Sequence, residues 1–216
     1  NIDDNFKGLK AKLAECFKNL DPVKIFAFQA KNLNDVKEIK ARIRNIYSAG
    51  KHSIHITDTK EEAIRLAKIV FNENSIHFLN YANPNKYFST NIKINNFKKF
   101  IKVNNFNSDE ILIDSSFVLS AYGLRESKDI DFLCTNNNNI KVNFDKINTH
   151  DEELKYHKEK KLELIYNPTN YFHFNDLKFI SFFQLYKMKK NRGEIKDIND
   201  SKIMKSLING NFFQFN

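Results

Sequence analysis

ILIDSSFVLSAYGLRESKDIDFLC, residues Ile111 to Cys134, is the stretch from which the remainder of the chain is interpreted. It begins with Ile111-Leu112-Ile113, an apolar run of the length of a short buried strand. Ser115 and Ser116 follow, then an amphipathic turn or two from Phe117 to Tyr122, and then Gly123. A charged loop from Arg125 to Lys128 leads into Asp129-Ile130-Asp131-Phe132-Leu133.

Side chains alternate between the two faces of a strand, so Asp129 and Asp131 fall on one face, about 6–7 Å apart. Two carboxylates that close repel each other unless a cation sits between them. Mg²⁺ favours one or two carboxylates together with phosphate oxygens. A pair of such ions can clamp both the attacking and the leaving oxygen of a phosphoryl transfer. A bare Asp-x-Asp also occurs as a solvated strand end or a cap, so the flanking residues must carry the case.

The order strand, small-residue turn, short helix, glycine and Asp-x-Asp strand resembles the polymerase-β-like nucleotidyltransferase superfamily. Ser115-Ser116, Gly123, Arg125 and Asp129-Ile130-Asp131 carry the resemblance. It covers Ile111–Cys134 tightly and the rest of the second half loosely. The family usually has glycine where this chain has Ser115. The resemblance implies that Ser115, Ser116 and the amides of their turn hold donor phosphates. Asp129 and Asp131 then bind Mg²⁺ or Mn²⁺, and Arg125 or Lys128 neutralises charge in the transition state. It also implies a third carboxylate on a later strand, as general base or metal ligand. Asp145, Asp151, Glu152 and Glu163 compete for that place. Asp151, within the polar cluster THDEELKYH (149–157), is preferred.

Near the C-terminus, KMKKNRGEIKDINDSKI is similar to the helical tail of small nucleotidyltransferases, with Lys189, Arg192, Lys196, Asp197 and Asp200 at the matching places. One reading makes Lys189 and Arg192 part of a cationic wall for phosphates. The other makes the cations helix-end charges and the two aspartates salt-bridge partners or caps. Tyr-Gly-Leu-Arg followed by Asp-Ile-Asp also looks like the LicD/fukutin branch of the same fold, whose members move a phospho-substituent from a CDP-linked donor to a sugar. The chain as a whole resembles domains attached to capsule or lipopolysaccharide glycosyltransferases of AT-rich bacteria.

Composition sets outer bounds. The 216 residues suffice for one large or two small domains, and 41% hydrophobic residues allow a core. Twenty-one phenylalanines and no tryptophan, with abundant Asn, Lys and Ile, reflect AT-rich codon usage. No apolar run of about 18 residues exists, so no transmembrane segment is expected. No signal-peptide pattern opens the chain. It starts at Asn1, not Met, which reads as a domain or processed form of a longer polypeptide. Cys16 and Cys134 lie far apart and read as reduced cysteines of a cytoplasmic protein, at most peripheral at the inner face of a membrane. The formal charge of +9 attracts anions, but the lysines are spread along the chain, so nucleic-acid binding is not inferred.

The expected fold is α/β: a nucleotidyltransferase-like mixed sheet with a C-terminal helical tail, preceded by a small N-terminal β-α-β-α module. The module occupies residues 1–84, a polar connection 85–107, and the transferase-like domain 108–216. In the module, a helix from Ile2 to Leu20 precedes a strand Val23–Ala30. Asn34 or Asp35 caps a helix running to Tyr47, with Gly50 as its stop. Lys51–Thr57 is a strand, Asp58 or Thr59 caps a second helix, and Ser75–Leu79 is a third strand. His52, His55, Thr57 and Asp58 sit at a strand end that runs into a helix, where anions dock, and form a second tier of candidates. His55 as a satisfied strand histidine and Asp58 as a simple cap are the plainer readings.

The connection contains a short helix, Asn96–Val103. Ile140–Ile147 is a strand antiparallel to the Asp-x-Asp strand, and Tyr171–Phe174 another. Asn175 or Asp176 caps a helix from Leu177 to Asn191 with Phe179, Phe182, Phe183 and Tyr186 inward, Gly193 ends it, and Ser201 opens the last helix.

The function expected from the resemblance is a metal-dependent nucleotidyl- or phosphoryl-group transferase. It would use a nucleoside triphosphate or CDP-linked donor and a sugar or sugar-phosphate acceptor, in synthesis of a bacterial surface glycan and within a larger glycosyltransferase polypeptide. Three alternatives stay open: an ATP-dependent ligase activating a carboxylate, a non-catalytic nucleotide or nucleotide-sugar module, and, last, an RNA-modifying transferase.

Overall fold

The computed structural model describes residues 8, 10–11, 13–17, 22–48, 53–137 and 140–208. The chain divides into two units, residues 1–66 and 67–216. The expected module boundary lay later, at residue 84.

The second unit is built on five short strands: β1 (Ile111–Asp114), β2 (Ile130–Cys134), β3 (Ile147–Thr149), β4 (Tyr171–Phe174) and β5 (Leu177–Ile180). They form one mixed sheet in the order β3-β2-β1-β5-β4. β1 is central and buried at every residue, which is why it is apolar throughout except at its last position, Asp114. β2 runs antiparallel to β1, with Ile111 opposite Cys134 and Asp114 opposite Asp131. β5 lies parallel to β1 on the other side.

Among the described residues the helices are α1 (Leu33–Tyr47) and α2 (Lys60–Val70), which begin in the first unit, and α3 (Glu73–Tyr81), α4 (Phe88–Val103), α5 (Ser116–Ala121), α6 (Lys161–Tyr166), α7 (Phe182–Arg192) and α8 (Ile195–Ile208) in the second. The architecture is α/β with a helical C-terminal region, as expected. Phenylalanine fills the core. Phe78 of α3 stacks on Phe172 at 4.7 Å, and Phe172 on Phe179 at 5.2 Å. Phe97 and Phe100 of α4 meet Phe132 of β2 edge-on at 5.5 and 5.3 Å. Such pairs add to the area they bury. Gly123 closes the turn after α5 with φ +72, a conformation that suits glycine.

Several expectations give way. Asn175 and Asp176 do not cap a helix; both have positive φ, 53° and 61°, and form the two-residue hairpin turn joining β4 to β5. Leu177–Asn191 is therefore split into strand β5 and helix α7, whose cap is Ser181. Phe179 and Phe182 are buried, whereas Phe183 is exposed. Gly193 ends α7 as expected, at φ 69°. The last helix starts at Ile195, not Ser201. Ile140–Lys146 is irregular; only Ile147–Thr149 pairs with β2, and it does so parallel. The helix expected at Asn96 begins at Phe88, and its Ile94, Phe97 and Phe100 are core residues. Ser75–Leu79 is helical, within α3, because Asn72 accepts the Ser75 amide at 2.8 Å and starts the turn.

In the first unit, α1 is capped by Asn32, whose side chain accepts from the Asn34 and Asp35 amides at 2.8 and 3.1 Å. At the start of α2, Thr59 accepts the Glu62 amide and Glu62 accepts the Asp58 amide, a reciprocal cap. Residues 22–30 and 53–57 are not strands, and the β-α-β-α module is not formed among the described residues. Alternation alone does not make a strand; a ladder partner is needed. The described residues between 8 and 16 are helical, as expected there, while Gly50 lies outside the described residues. Among the described residues, no helix is long and apolar enough to cross a membrane. Cys16 and Cys134 are both free thiols.

Candidate functional site

β1 delivers Asp114 to the end of the central strand, and β2 places Asp131 directly opposite. Residues opposite one another in an antiparallel pair share a face. Asp114 is fully buried and Asp131 half-buried. The chain then turns sharply. Ser115 has φ 61° and ψ −143°, a region close to that reserved for glycine, and its amide donates to Asp114 Oδ1 at 2.6 Å. Position 115 thus combines a glycine-like backbone with a serine side chain. The turn leads into α5, whose residues are buried from Phe117 onward, so it is a core helix and not an amphipathic one.

The other oxygen of Asp114 is taken by two histidines. His150 Nδ1 lies 2.9 Å and His157 Nε2 3.1 Å from Oδ2. His150 is placed by β3: its amide donates to the Phe132 carbonyl at 2.8 Å, one step beyond the β2–β3 ladder. Burial alone would raise the Asp114 pKa, but hydrogen bonds and charge from His150 and His157 outweigh it and hold the carboxyl far below the usual range. Burial disfavours the His150 imidazolium, yet the bond and charge of Asp114, with the charges of Asp131 and Glu153, raise its pKa above the ordinary value.

Asp131 shows the opposite tendency. Burial raises its pKa, as do the nearby charges of Asp129 and Asp114, against the lowering influence of His150 and a bond from Ser115. Asp129 precedes β2 and is half-exposed. Asp129 and Asp131 are thus close enough to repel, and neither forms a salt bridge among the described residues. No group of three or more His, Cys, Asp or Glu among the described residues is arranged to hold a metal ion. Asp129 and Asp131 alone are too few to cage an ion; a divalent ion there would need further oxygens from outside the protein, such as those of a phosphate.

Comparison with known proteins identifies no relative: no family model matches the chain, and no curated protein or solved structure matches it either. The geometry must be read by itself.

Of the expected cations, three are bound to Asp197 or Asp200. Arg125 Nε and Nη2 meet Asp200 Oδ1 and Oδ2 at 2.5 and 2.8 Å. Lys189 is buried and pairs with Asp197 at 3.0 Å and Asp200 at 2.8 Å. Arg192 pairs with Asp197 and with Glu153 at 3.0 Å. The Asp200 bond raises the Arg125 pKa against burial, and the Asp197 bond raises that of Arg192. Lys189 and Arg192 thus form a buried charge network, the salt-bridge reading of the tail, and not a wall open to phosphates. Lys196 is exposed and pairs with Glu194 at 3.0 Å. Lys128 is exposed, and Ser116 is the half-buried first residue of α5.

Asp151 heads the 3₁₀ turn Asp151–Tyr156, and its Oδ2 accepts from Lys161 at 2.7 Å and Asn137 at 2.6 Å. It influences Cys134, at the far end of β2, and is not among the charges that shift Asp131. The neighbouring His150 is brought to Asp114 and Asp131 instead. The sequence reading missed Asp114, His150 and His157. The available signal was a carboxylate ending a wholly apolar strand, a position that demands polar partners.

Among the second-tier residues, His52 lies outside the described residues. His55 is exposed, 3.4 Å from Glu62. Asp58 is exposed and pairs with Lys40 at 3.6 Å. Thr57 is half-buried. Asp58, Lys37, Lys40 and Arg44 line a groove of about 750 Å³ in the first unit.

Proposed function

We propose that the 67–216 unit is a Mg²⁺- or Mn²⁺-dependent nucleotidyl- or phosphoryl-group transferase. What carries the reading is the glycine-like Ser115 turn between β1 and α5, next to the Asp114–Asp131 pair. Strand, tight turn, helix and acidic strand follow the order of the nucleotidyltransferases that the sequence resembles. Asp129 and Asp131 would hold the ion, which lends positive charge to donor phosphates when bound. Ser116, the half-buried first residue of α5, would hold those phosphates. Arg125, fixed by Asp200, and Lys128 border the acidic pair. Catalysis of this kind is chiefly positioning and electrostatics.

The resemblance to the LicD/fukutin branch points to a sugar hydroxyl or sugar phosphate as acceptor, on a surface-glycan precursor, with a nucleoside triphosphate or CDP-linked donor. The test is turnover of ATP, CTP and CDP-linked donors with Mg²⁺, followed by phosphorus NMR, in wild type and Asp131→Asn. Metal-dependent turnover lost in the variant supports the transferase.

One observation favours a second reading. Asp151, the preferred third carboxylate, is engaged by Lys161 and is not among the charges that shift Asp131. A module that binds nucleotide without turning it over would show Mg²⁺-dependent binding, lost in Asp131→Asn, and no product.

A further inference from the structure

We infer that His150, held by Asp114, is the general base that takes the proton from the acceptor hydroxyl. The inference rests on the transferase reading and supplies what Asp151 does not. Nδ1 of His150 donates to Asp114 Oδ2 at 2.9 Å, which fixes the tautomer with the proton on Nδ1 and the lone pair on Nε2. Nε2 has no protein partner among the described residues and is not a sealed atom. The ring makes no hydrogen bond to Asp129 or Asp131, so it stands beside the metal-binding pair without belonging to it. A buried carboxylate behind an imidazole, with the far nitrogen open, is the arrangement that orients a histidine base and stabilises its imidazolium.

His157 has a different part. Its Nε2 bonds the same carboxylate oxygen, and its Nδ1 is sealed from solvent without a partner. It cannot reach a substrate, so it positions Asp114. In the step itself, the acceptor oxygen forms a bond to the transferred phosphorus as its proton moves to His150 Nε2. The bond from that phosphorus to the leaving phosphate oxygen breaks, and its electron pair departs with the leaving group. His150 then returns the proton to water.

The experiment measures donor turnover with Mg²⁺ between pH 5 and 9 for wild type, His150→Gln, His150→Ala and Asp114→Asn. A general base contributes ~10²–10⁴-fold, so His150→Gln should lower kcat by at least ~100-fold with little change in KM. Wild-type activity should fall on the acid side as His150 gains its proton. The groups facing it are Asp114 of β1, Asp131 of β2, Glu153 of the 3₁₀ turn, and His157. Asp114→Asn, which removes the charge that favours the imidazolium, should move that limb to lower pH.

Added imidazole should restore His150→Ala. Diethyl pyrocarbonate on the wild-type protein needs no variant: it should modify His150 and abolish turnover, leaving His157 untouched. Retained kcat and an unchanged acid limb in His150→Gln overturn the inference alone, as does full activity after modification of His150. Absence of turnover in the wild type with every donor overturns the transferase reading and, with it, the base.

Discussion

Arg125 lies in register along Asp200, two parallel nitrogen-to-oxygen bonds of 2.5 and 2.8 Å joining the loop before β2 to helix α8. The same carboxylate accepts the buried Lys189, which also holds Asp197, which in turn holds Arg192. Each aspartate has two cations, Asp197 those of Lys189 and Arg192 and Asp200 those of Lys189 and Arg125. Replacing Lys189 by Met leaves two buried aspartates without their common cation. Breaking a buried pair in this way costs about 3–5 kcal/mol. Urea unfolding of Lys189→Met should show a loss of that size. The triple change Lys189→Met, Asp197→Leu, Asp200→Leu should lose less than the sum of its parts, because three mutually paired charges go together and Arg192 keeps Glu153.

The same network sets an acid limit. Burial would raise the carboxyl of Asp197, but its bonds to Arg192 and Lys189 hold it down to about 2, and Asp200 is lowered by Arg125 and Lys189. Folded carboxyls below their unfolded values stabilise the protein at pH above the unfolded value, about 3.9. That contribution is lost as pH falls from there towards about 2. Acid unfolding followed by circular dichroism should therefore steepen below pH about 4. In Arg192→Gln the Asp197 carboxyl is held down less, so the contribution is smaller and its loss is complete at a higher pH.

The Ser115 backbone makes a prediction that separates two effects. Serine at φ 61° and ψ −143° is strained, whereas glycine is not. Glycine and alanine both lack the hydroxyl that reaches Asp131, so their difference reports the backbone alone. Ser115→Gly should be more stable than Ser115→Ala by about 1–2 kcal/mol in denaturant titrations. Equal stabilities would mean that the turn relaxes into another conformation.

These residues also show what the sequence made legible. The run Ile111–Ile113, the two serines, Gly123 and Asp129–Asp131 announce strand, turn, helix and strand, and all four are found, except that the last strand starts at Ile130 and leaves Asp129 in the bend before it. Leu177–Asn191 was misread because an apolar run looks alike as buried strand or helix. The Asn175–Asp176 pair could be a cap or a hairpin turn, and only the β4 partner decides. Val23–Ala30 has strand-like alternation without a ladder.

The same holds for the site. Asp129 and Asp131 are legible from their spacing, but His150 and His157 reach Asp114 across 36 and 43 residues of sequence. Asp151 drew attention by its chemistry, and the 3₁₀ turn directs it to Lys161 while its neighbour takes the inner position.

Gly123 tests the packing behind the site. A Cβ there would stand 2.4 Å from the Asn83 carbonyl oxygen, and φ is +72°. That segment is not free to retreat, since the Asn83 amide donates to the Tyr122 carbonyl at 3.0 Å. A left-handed conformation costs a non-glycine residue about 1–2 kcal/mol before any clash is counted. Gly123→Ala should therefore lose more than about 2 kcal/mol in urea unfolding. Asn83→Gly, which trims the side chain but keeps the carbonyl, should not rescue it.

The acidic pair yields a last prediction, on ionisation. Burial first, and then the charge of Asp129, raises the Asp131 carboxyl above its ordinary range. Asp129→Asn removes one like charge and leaves burial unchanged. Carbon-13 NMR of the Asp131 carboxyl should then show its titration moved down but still above that of an exposed aspartate. A carboxyl raised in the folded state stabilises the protein below the unfolded value, and this is lost as pH rises through the folded one. Neutral pH is thus where the repelling pair costs most, and Asp129→Asn should be slightly more stable than wild type there. Divalent cation added with nucleotide should stabilise the wild type more than the variant, which has lost one of the two carboxylates. If Asp131 titrates identically in the two proteins, the carboxylates do not sense each other, and a shared ion between them is ruled out.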